Sequence, residues 1–242
     1  MAFIPAVSLV GVTARSSSSV SAADQVSLRR PASTVGHTLP QRRRVSAAPA
    51  PPSVAAPTMV FSAASPVAAV KAELMAAIAP TRLGRAVASD RRAQEKIDAI
   101  VRRLEALNPN AVPVESADLG AVWKLVYTTS ASILGTSRPP PLRPNDEIFQ
   151  VVDLDAGTVT NSEQLAGGLL TNKVHATFGV KPPMRVQVQF QRFQFGPLSV
   201  KAPASAKGFL DVTYLDDEVR VSRGNKDNLF VLLSPKGLSN LI

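Results

Sequence analysis

The chain has 242 residues, with 27 lysines and arginines against 18 acids and a formal net charge of +9. It holds no cysteine and two histidines, His37 and His175. Disulfides, thiol nucleophiles and cysteine-ligated metals are thereby excluded, and a multi-histidine metal centre has no material to be built from.

The first stretch differs in kind from the rest. From Met1 to Val70 there are six arginines, no lysine and a single acid, Asp24, among Ser, Ala, Val and Pro. Such a segment cannot bury a core, and its Arg-bearing, acid-poor composition is that of an organelle transit peptide. Residues 1–65 are expected to be a disordered transit peptide and linker, cut near Val45-Ser46-Ala47-Ala48 or at one of the small-residue positions between Ala55 and Ala63. Removing Met1 to Val70 takes away six bases and one acid, so the net charge falls from +9 to +4. The run Arg42-Arg43-Arg44 therefore belongs to the import signal. No nucleic-acid partner is expected, and the remaining charge favours anionic membrane surfaces only weakly.

Two amphipathic helices follow. Val67, Val70, Leu74 and Ile78 recur at helical spacing and predict a helix at about 66–79, stopped by Pro80. A second helix is predicted at about 90–107, with Ile97, Ile100, Val101, Leu104 and Leu107 on one stripe and Arg91, Arg92, Lys96, Arg102 and Arg103 facing away. Ser89 or Asp90 can cap its start, Asn108-Pro109 ends it, and Asp98 and Arg102 are placed for an i, i+4 ion pair.

After Pro113 the hydrophobic period changes from 3.6 to 2. Trp123, Leu125 and Tyr127 share one predicted strand face. Ile148 to Val152 is nearly continuous apolar, which suggests burial on both sides. Thr158 to Thr160 follows the Asp155-Ala156-Gly157 turn, and Lys173 to Val180 makes another strand. Met184, Val186, Val188 and Phe190 alternate with Arg185, Gln187, Gln189 and Gln191. The phase then slips to Phe193 and Phe195, which predicts a bulge or a strand break near Gln191-Arg192. Gly208 to Leu233 reads as a closing three-stranded meander, with turns at Asp216-Asp217 and Gly224-Asn225.

Seven to nine short strands with no helix between them argue for one antiparallel sheet closed on itself. An open sheet would expose both an edge and an apolar face. About eight strands give an interior just wide enough for side chains or for one small apolar ligand. The fold class is thus mainly β: an antiparallel barrel at about 119–242, within one domain at 66–242 that begins with the two helices.

The segments WKLVYTTS (Trp123 to Ser130), SRPP (Ser137 to Pro140), IFQVVD (Ile148 to Asp153) and the meander GFLDVTYLDDEVRVSRGNKDNLFVLL together resemble the plastid lipid-associated proteins, or plastid fibrillins. The resemblance spans roughly Ala72 to Leu233. It implies a lipocalin-like barrel and a non-catalytic protein that takes lipids of the fatty acid, prenyl lipid or carotenoid class, with no cofactor. It also implies a plastid location at plastoglobule or thylakoid surfaces, on the stromal side. A ligand-free scaffold that recruits a plastid lipid- or isoprenoid-metabolism enzyme to the membrane is the alternative, and it would make a protein the partner.

Candidate ligand-binding residues follow from strand phase. Arg223 shares phase with Val219 and Val221 and is expected to point inward, with Asp211 on the neighbouring strand as its partner, while Glu218, Arg220 and Ser222 point out. Arg223 is then one half of a structural pair at the barrel end, a strand-end residue that turns to solvent, or an anchor for a lipid carboxylate or phosphate. Trp123 and Tyr127 are expected in the core or at a cavity mouth. The loop Ser137 to Pro144 reads as a stiff connection carrying two arginines. Asp153, Asp155, Asp216, Asp217 and Glu218 lie in turns, where aspartate bonds its own backbone, and lack the spacing of a calcium loop. An enzyme would need His175, Asp211 and Arg223 around one cavity.

Overall fold

The computed structural model describes residues 65–240. Residues 1–64, which hold the expected transit peptide and its cleavage positions, lie outside the described residues. The first helix, α1 (Pro66–Ile78), is capped by Ser65, whose hydroxyl accepts from the Ala68 N–H at 3.1 Å. In α2 (Arg91–Glu105) the capping residue is Asp90, which accepts from the Ala93 N–H at 3.0 Å. The connector between them turns back across the sheet at Gly84. There φ is +105°, and a side-chain carbon would meet the Thr128 carbonyl oxygen at 2.3 Å, so only glycine fits.

Nine strands follow among the described residues: β1 (Val122–Thr128), β2 (Ile148–Asp153), β3 (Thr158–Leu165), β4 (Leu170–Lys181), β5 (Arg185–Phe195), β6 (Leu198–Lys201), β7 (Lys207–Leu215), β8 (Val219–Gly224) and β9 (Leu229–Leu233). Their order is β4-β3-β2-β1-β9-β8-β7-β5-β6, and β4 also pairs with β5. That pairing closes an eight-stranded antiparallel barrel, as expected. β5 bonds β7 through Arg185 to Gln189 and β6 through Arg192 to Phe195, so β6 prolongs the barrel wall above β7.

The strands are buried on two sides, in two separate clusters. Inward residues such as Trp123, Leu125, Val152, Val188, Phe190 and Val212 form the barrel interior. Val70, Leu74, Ile97, Val101 and Leu104 of the helices pack with Tyr127, Tyr214, Val219, Val221 and Val231 to form the second. The helical layer therefore covers the outer face of β1, β7, β8 and β9. On β2, by contrast, the outer face is open, with Val151 43% exposed, so the expected burial of both faces there is corrected: among the described residues the two helices cover β1, β7, β8 and β9 instead.

Three bulges set which side chains face which cluster. Gln191 has no partner in β4, since His175 pairs with Arg192 and Ala176 with Phe190. The expected slip falls there, and it keeps Phe193 against the barrel core while Phe195 stays partly exposed. The other two bulges lie between Leu125 and Tyr127 in β1 and between Val212 and Tyr214 in β7. Each turns a tyrosine outward into the helix-facing cluster, where both rings are fully buried.

Because the helical layer is held mainly by apolar burial, truncating its centre should loosen the whole assembly. Leu104→Ala is expected to lower stability by roughly 2–5 kcal/mol, read as a lower urea midpoint at unchanged slope.

Candidate functional site

Arg223 lies on the outer face with Val219 and Val221, so its phase is as expected and its direction is reversed. It reaches α2, donating from Nη2 to Asp98 at 2.7 Å and from Nε to Glu105 at 2.8 Å. Burial pulls its pKa down, but these hydrogen bonds and charges outweigh that and hold it above the ordinary arginine value. The expected pairing with Asp211 is thus corrected. Asp211 is its cross-strand neighbour, yet it accepts a two-pronged contact from Arg185 at 2.7 and 2.8 Å. The closer carboxylates on α2 take Arg223 because the helix lies directly over it.

Trp123 and Tyr127 do not share a face. Trp123 points into the barrel and donates to the Leu119 carbonyl at 3.1 Å. Tyr127, displaced by the bulge, lies under the helices with its hydroxyl buried and unpartnered; desolvation, then the Asp98 charge, pushes it up to about 12. His175 bonds Thr160 at 3.1 Å on the β3–β4 wall. His175, Asp211 and Arg223 thus each engage a separate partner.

The polar group inside the barrel is a different one. Arg220, expected to point out, points in: it is 3% exposed, its guanidinium lies 4.9 Å from the Trp123 ring centre, and it donates from Nη2 to Gln150 Oε1. Gln150 in turn donates to Asn161 Oδ1 at 2.7 Å. Arg220 Nε and the Ser222 hydroxyl are buried without a hydrogen-bond partner. Desolvation alone pulls Arg220 down to about 9, which leaves it cationic at neutral pH.

Two cavities meet at this group. The upper is walled by Leu125, Ile133, Ile148, Phe230 and Leu232 together with Ser222; the lower by Leu119, Val159, Phe178, Val186 and Val212. Gln150, Asn161, Leu210 and Arg220 are common to both. Their unfilled space is about 420 and 430 Å³ with the openings included, of which about 30 Å³ in each is free to the centre of a water molecule. The channel is therefore narrow and mostly filled by side chains.

Each end is plugged. Below, the turns Pro113–Glu115 and Ala117–Leu119 bury Val114 and Leu119 against the inner cluster. Above, the segment joining β1 to β2 carries the short helix α3 (Ala131–Leu134), whose Ile133 walls the upper cavity. Arg138 of the Pro-rich loop folds back on this segment, donating to the Ser132 carbonyl at 2.9 Å and lying 3.5 Å from Glu163, which is 1% exposed. Burial pushes the Glu163 carboxyl up, more than Asn172 and Arg138 pull it down. The stiff loop expected from its prolines is thus a strap over the barrel mouth.

The PAP_fibrillin family profile matches residues 68–233, and the chain belongs to that family. Its non-catalytic character follows from that membership. It is 36% identical over 165 residues to the probable plastid-lipid-associated protein 5, chloroplastic, of Arabidopsis thaliana, covering 67% of this chain and 68% of that one. It is 30% identical over 218 residues to the plastid lipid-associated protein 1, chloroplastic, of Brassica campestris, covering 68% and 66%. Plastoglobulin-1, chloroplastic, of Pisum sativum is 35% identical over 138 residues, covering 55% of this chain and 38% of the relative. The chain thus spans about two thirds of the length of the first two relatives and much less of the third. A lipocalin-like protein from Bacteroides uniformis superposes with a TM-score of 0.34 at 12% identity, over 49% of this chain and 99% of that one.

The outer clamp has a pH signature. Desolvation raises the Asp98 carboxyl, but the hydrogen bonds from Arg223 and Arg102 outweigh it and hold its pKa below the ordinary 3.8. Its contribution to stability is then present above that value and is lost as pH falls below it. Arg223→Ala is expected to cost roughly 1–3 kcal/mol, the partial exposure of all three side chains lowering the figure. Urea unfolding measured at neutral pH and again below pH 4 should show the gap between wild type and variant shrinking in acid.

Proposed function

We propose that this protein is a plastid lipid holder, taking an apolar or amphipathic lipid into the barrel while resting on a lipid surface such as a plastoglobule or thylakoid margin. The observation that carries the reading is the barrel, plugged at both ends, whose largely apolar inner wall leaves space on both sides of one buried cation. The names of the relatives, which include plastid lipid-associated proteins and a plastoglobulin, support the lipid and the compartment. Purifying the folded protein from plastids and weighing it by native mass spectrometry should return a stoichiometric lipid adduct that organic extraction removes. An empty barrel would favour the second reading, a scaffold that recruits a lipid- or isoprenoid-metabolism enzyme, for which the narrowness of the two cavities speaks.

Surface attachment has its own support. At the strapped end, Leu169 is 91%, Leu198 68%, Val200 65% and Phe195 42% exposed. Phe195 pairs with Leu198 and Phe193 with Val200, so these apolar groups share one face of the β5–β6 hairpin, while Arg192 opposite Lys201 occupies the other. An apolar lip backed by cations suits a monolayer containing anionic lipid. Replacing Leu169 and Leu198 together by Glu should reduce co-flotation with galactolipid vesicles containing an anionic lipid severalfold and leave the urea midpoint within error. Undiminished flotation would remove this lip from the account.

A further inference from the structure

We infer that the barrel interior is a seat for a carboxylate, with Arg220 as the anion-binding residue, so that the lipid held there is an acid-headed amphiphile. The inference rests on the lipid-holding reading and narrows it to a headgroup chemistry.

The charge balance inside the barrel points to it. Arg223 on the outer face meets two carboxylates, and Arg185 and Lys71 meet theirs. Arg220 is more deeply buried than any of these, and among the described residues no carboxylate lies within ion-pair distance of it. Its polar contact is the neutral side chain of Gln150, and its other neighbour is the Trp123 ring. A desolvated guanidinium with one neutral acceptor and a ring face is under-compensated, because removing such an ion from water costs several kcal/mol. An anion entering the site would supply what the fold withholds.

The geometry favours a carboxylate. Arg220 Nε, still without an acceptor, belongs to the planar fork whose paired N–H groups match the two oxygens of a carboxylate. Ser222, two residues along the same inward strand face, offers a second unsatisfied group, its hydroxyl, to the upper cavity. Beyond these donors the upper wall is Leu125, Ile148, Phe230 and Leu232, ending at Ile133 under the strap. A head at Arg220 would thus have its tail aimed along an apolar wall toward the barrel mouth, and the strap would yield to admit it. The upper cavity leaves only about 30 Å³ free to the centre of a water molecule, which favours a small two-oxygen head over a bulkier phosphate.

The test uses the delipidated full chain and three ligands of equal tail: palmitate, methyl palmitate and hexadecyl phosphate, titrated against wild type, Arg220→Met and Arg220→Lys. Wild type is expected to bind palmitate roughly tenfold or more tighter than the methyl ester, the factor a charge-assisted pair supplies. Arg220→Met should abolish that preference and bind both ligands alike, and Arg220→Lys should restore part of it. Should Arg220→Met not fold, carboxyl-labelled palmitate bound to wild type gives the same answer by NMR, its carboxyl staying ionised well below the ordinary carboxylate range. Equal binding of acid and ester by wild type, or an ordinary titration of the label, would overturn the carboxylate seat and leave the lipid-holding reading standing. Hexadecyl phosphate binding as tightly as palmitate would overturn the restriction to carboxylates. Failure of all three ligands to bind would instead take down the lipid-holding reading, and the seat with it.

Discussion

Pairing β4 with β5 is the constraint on which everything else depends. An antiparallel sheet of this length left open would expose two edges and one greasy face to water. Once the ring is closed, the inner face is sealed from solvent along its whole circumference, and only the two ends remain to be plugged. The turns before β1 fill one end and the strap between β1 and β2 covers the other. The outer face then has to be finished separately, and two helices do this over β1, β7, β8 and β9 by burying a second apolar cluster.

Where a barrel wall is buried on both faces, as on β8, the meaning of strand phase is inverted. On β8, Val219, Val221 and Arg223 look inward by hydrophobicity alone, since the apolar set is conventionally the core set. Here that set faces the helices, and the alternate set, Arg220 and Ser222, faces the lumen. The two arginines consequently have opposite situations. Arg223, half-buried between sheet and helix, is charge-balanced by Asp98 and Glu105 and acts as a clamp. Arg220, in the lumen, has a neutral acceptor and an aromatic face, which leaves it as the group with the most to gain from an anionic guest.

Much of the fold was legible in the sequence, because period and turn chemistry are local. The helices, the bulge at Gln191 and the closing meander all follow from apolar spacing and from where Gly, Asn and Asp interrupt it. The aspartates read as turn formers serve as such: Asp153 accepts from the Ala156 N–H at 2.9 Å, and Asp216 from the Val219 N–H at 2.8 Å. The site was less legible, because it depends on which face of β8 the helices cover, and that is a long-range fact. The bulges at Val126 and Thr213 also carry no mark in the sequence, so Trp123 and Tyr127 looked like one face when they are two. One signal was available. Gln150 interrupts the apolar run Ile148 to Val152 and Asn161 stands in register between Val159 and Glu163, and a polar residue at an inward position of two adjacent strands announces a polar lumen.

The protein contains a single tryptophan, and it lies inside the barrel against Arg220. Its fluorescence therefore reports on the lumen alone. Titrating the folded protein with palmitate brominated on the carbon next to its carboxyl, and separately with acrylamide, tests the central claim directly. The account predicts saturable quenching by the brominated acid and strong protection from acrylamide. Free quenching by acrylamide with no response to the brominated acid would contradict a sealed lumen that admits a lipid head.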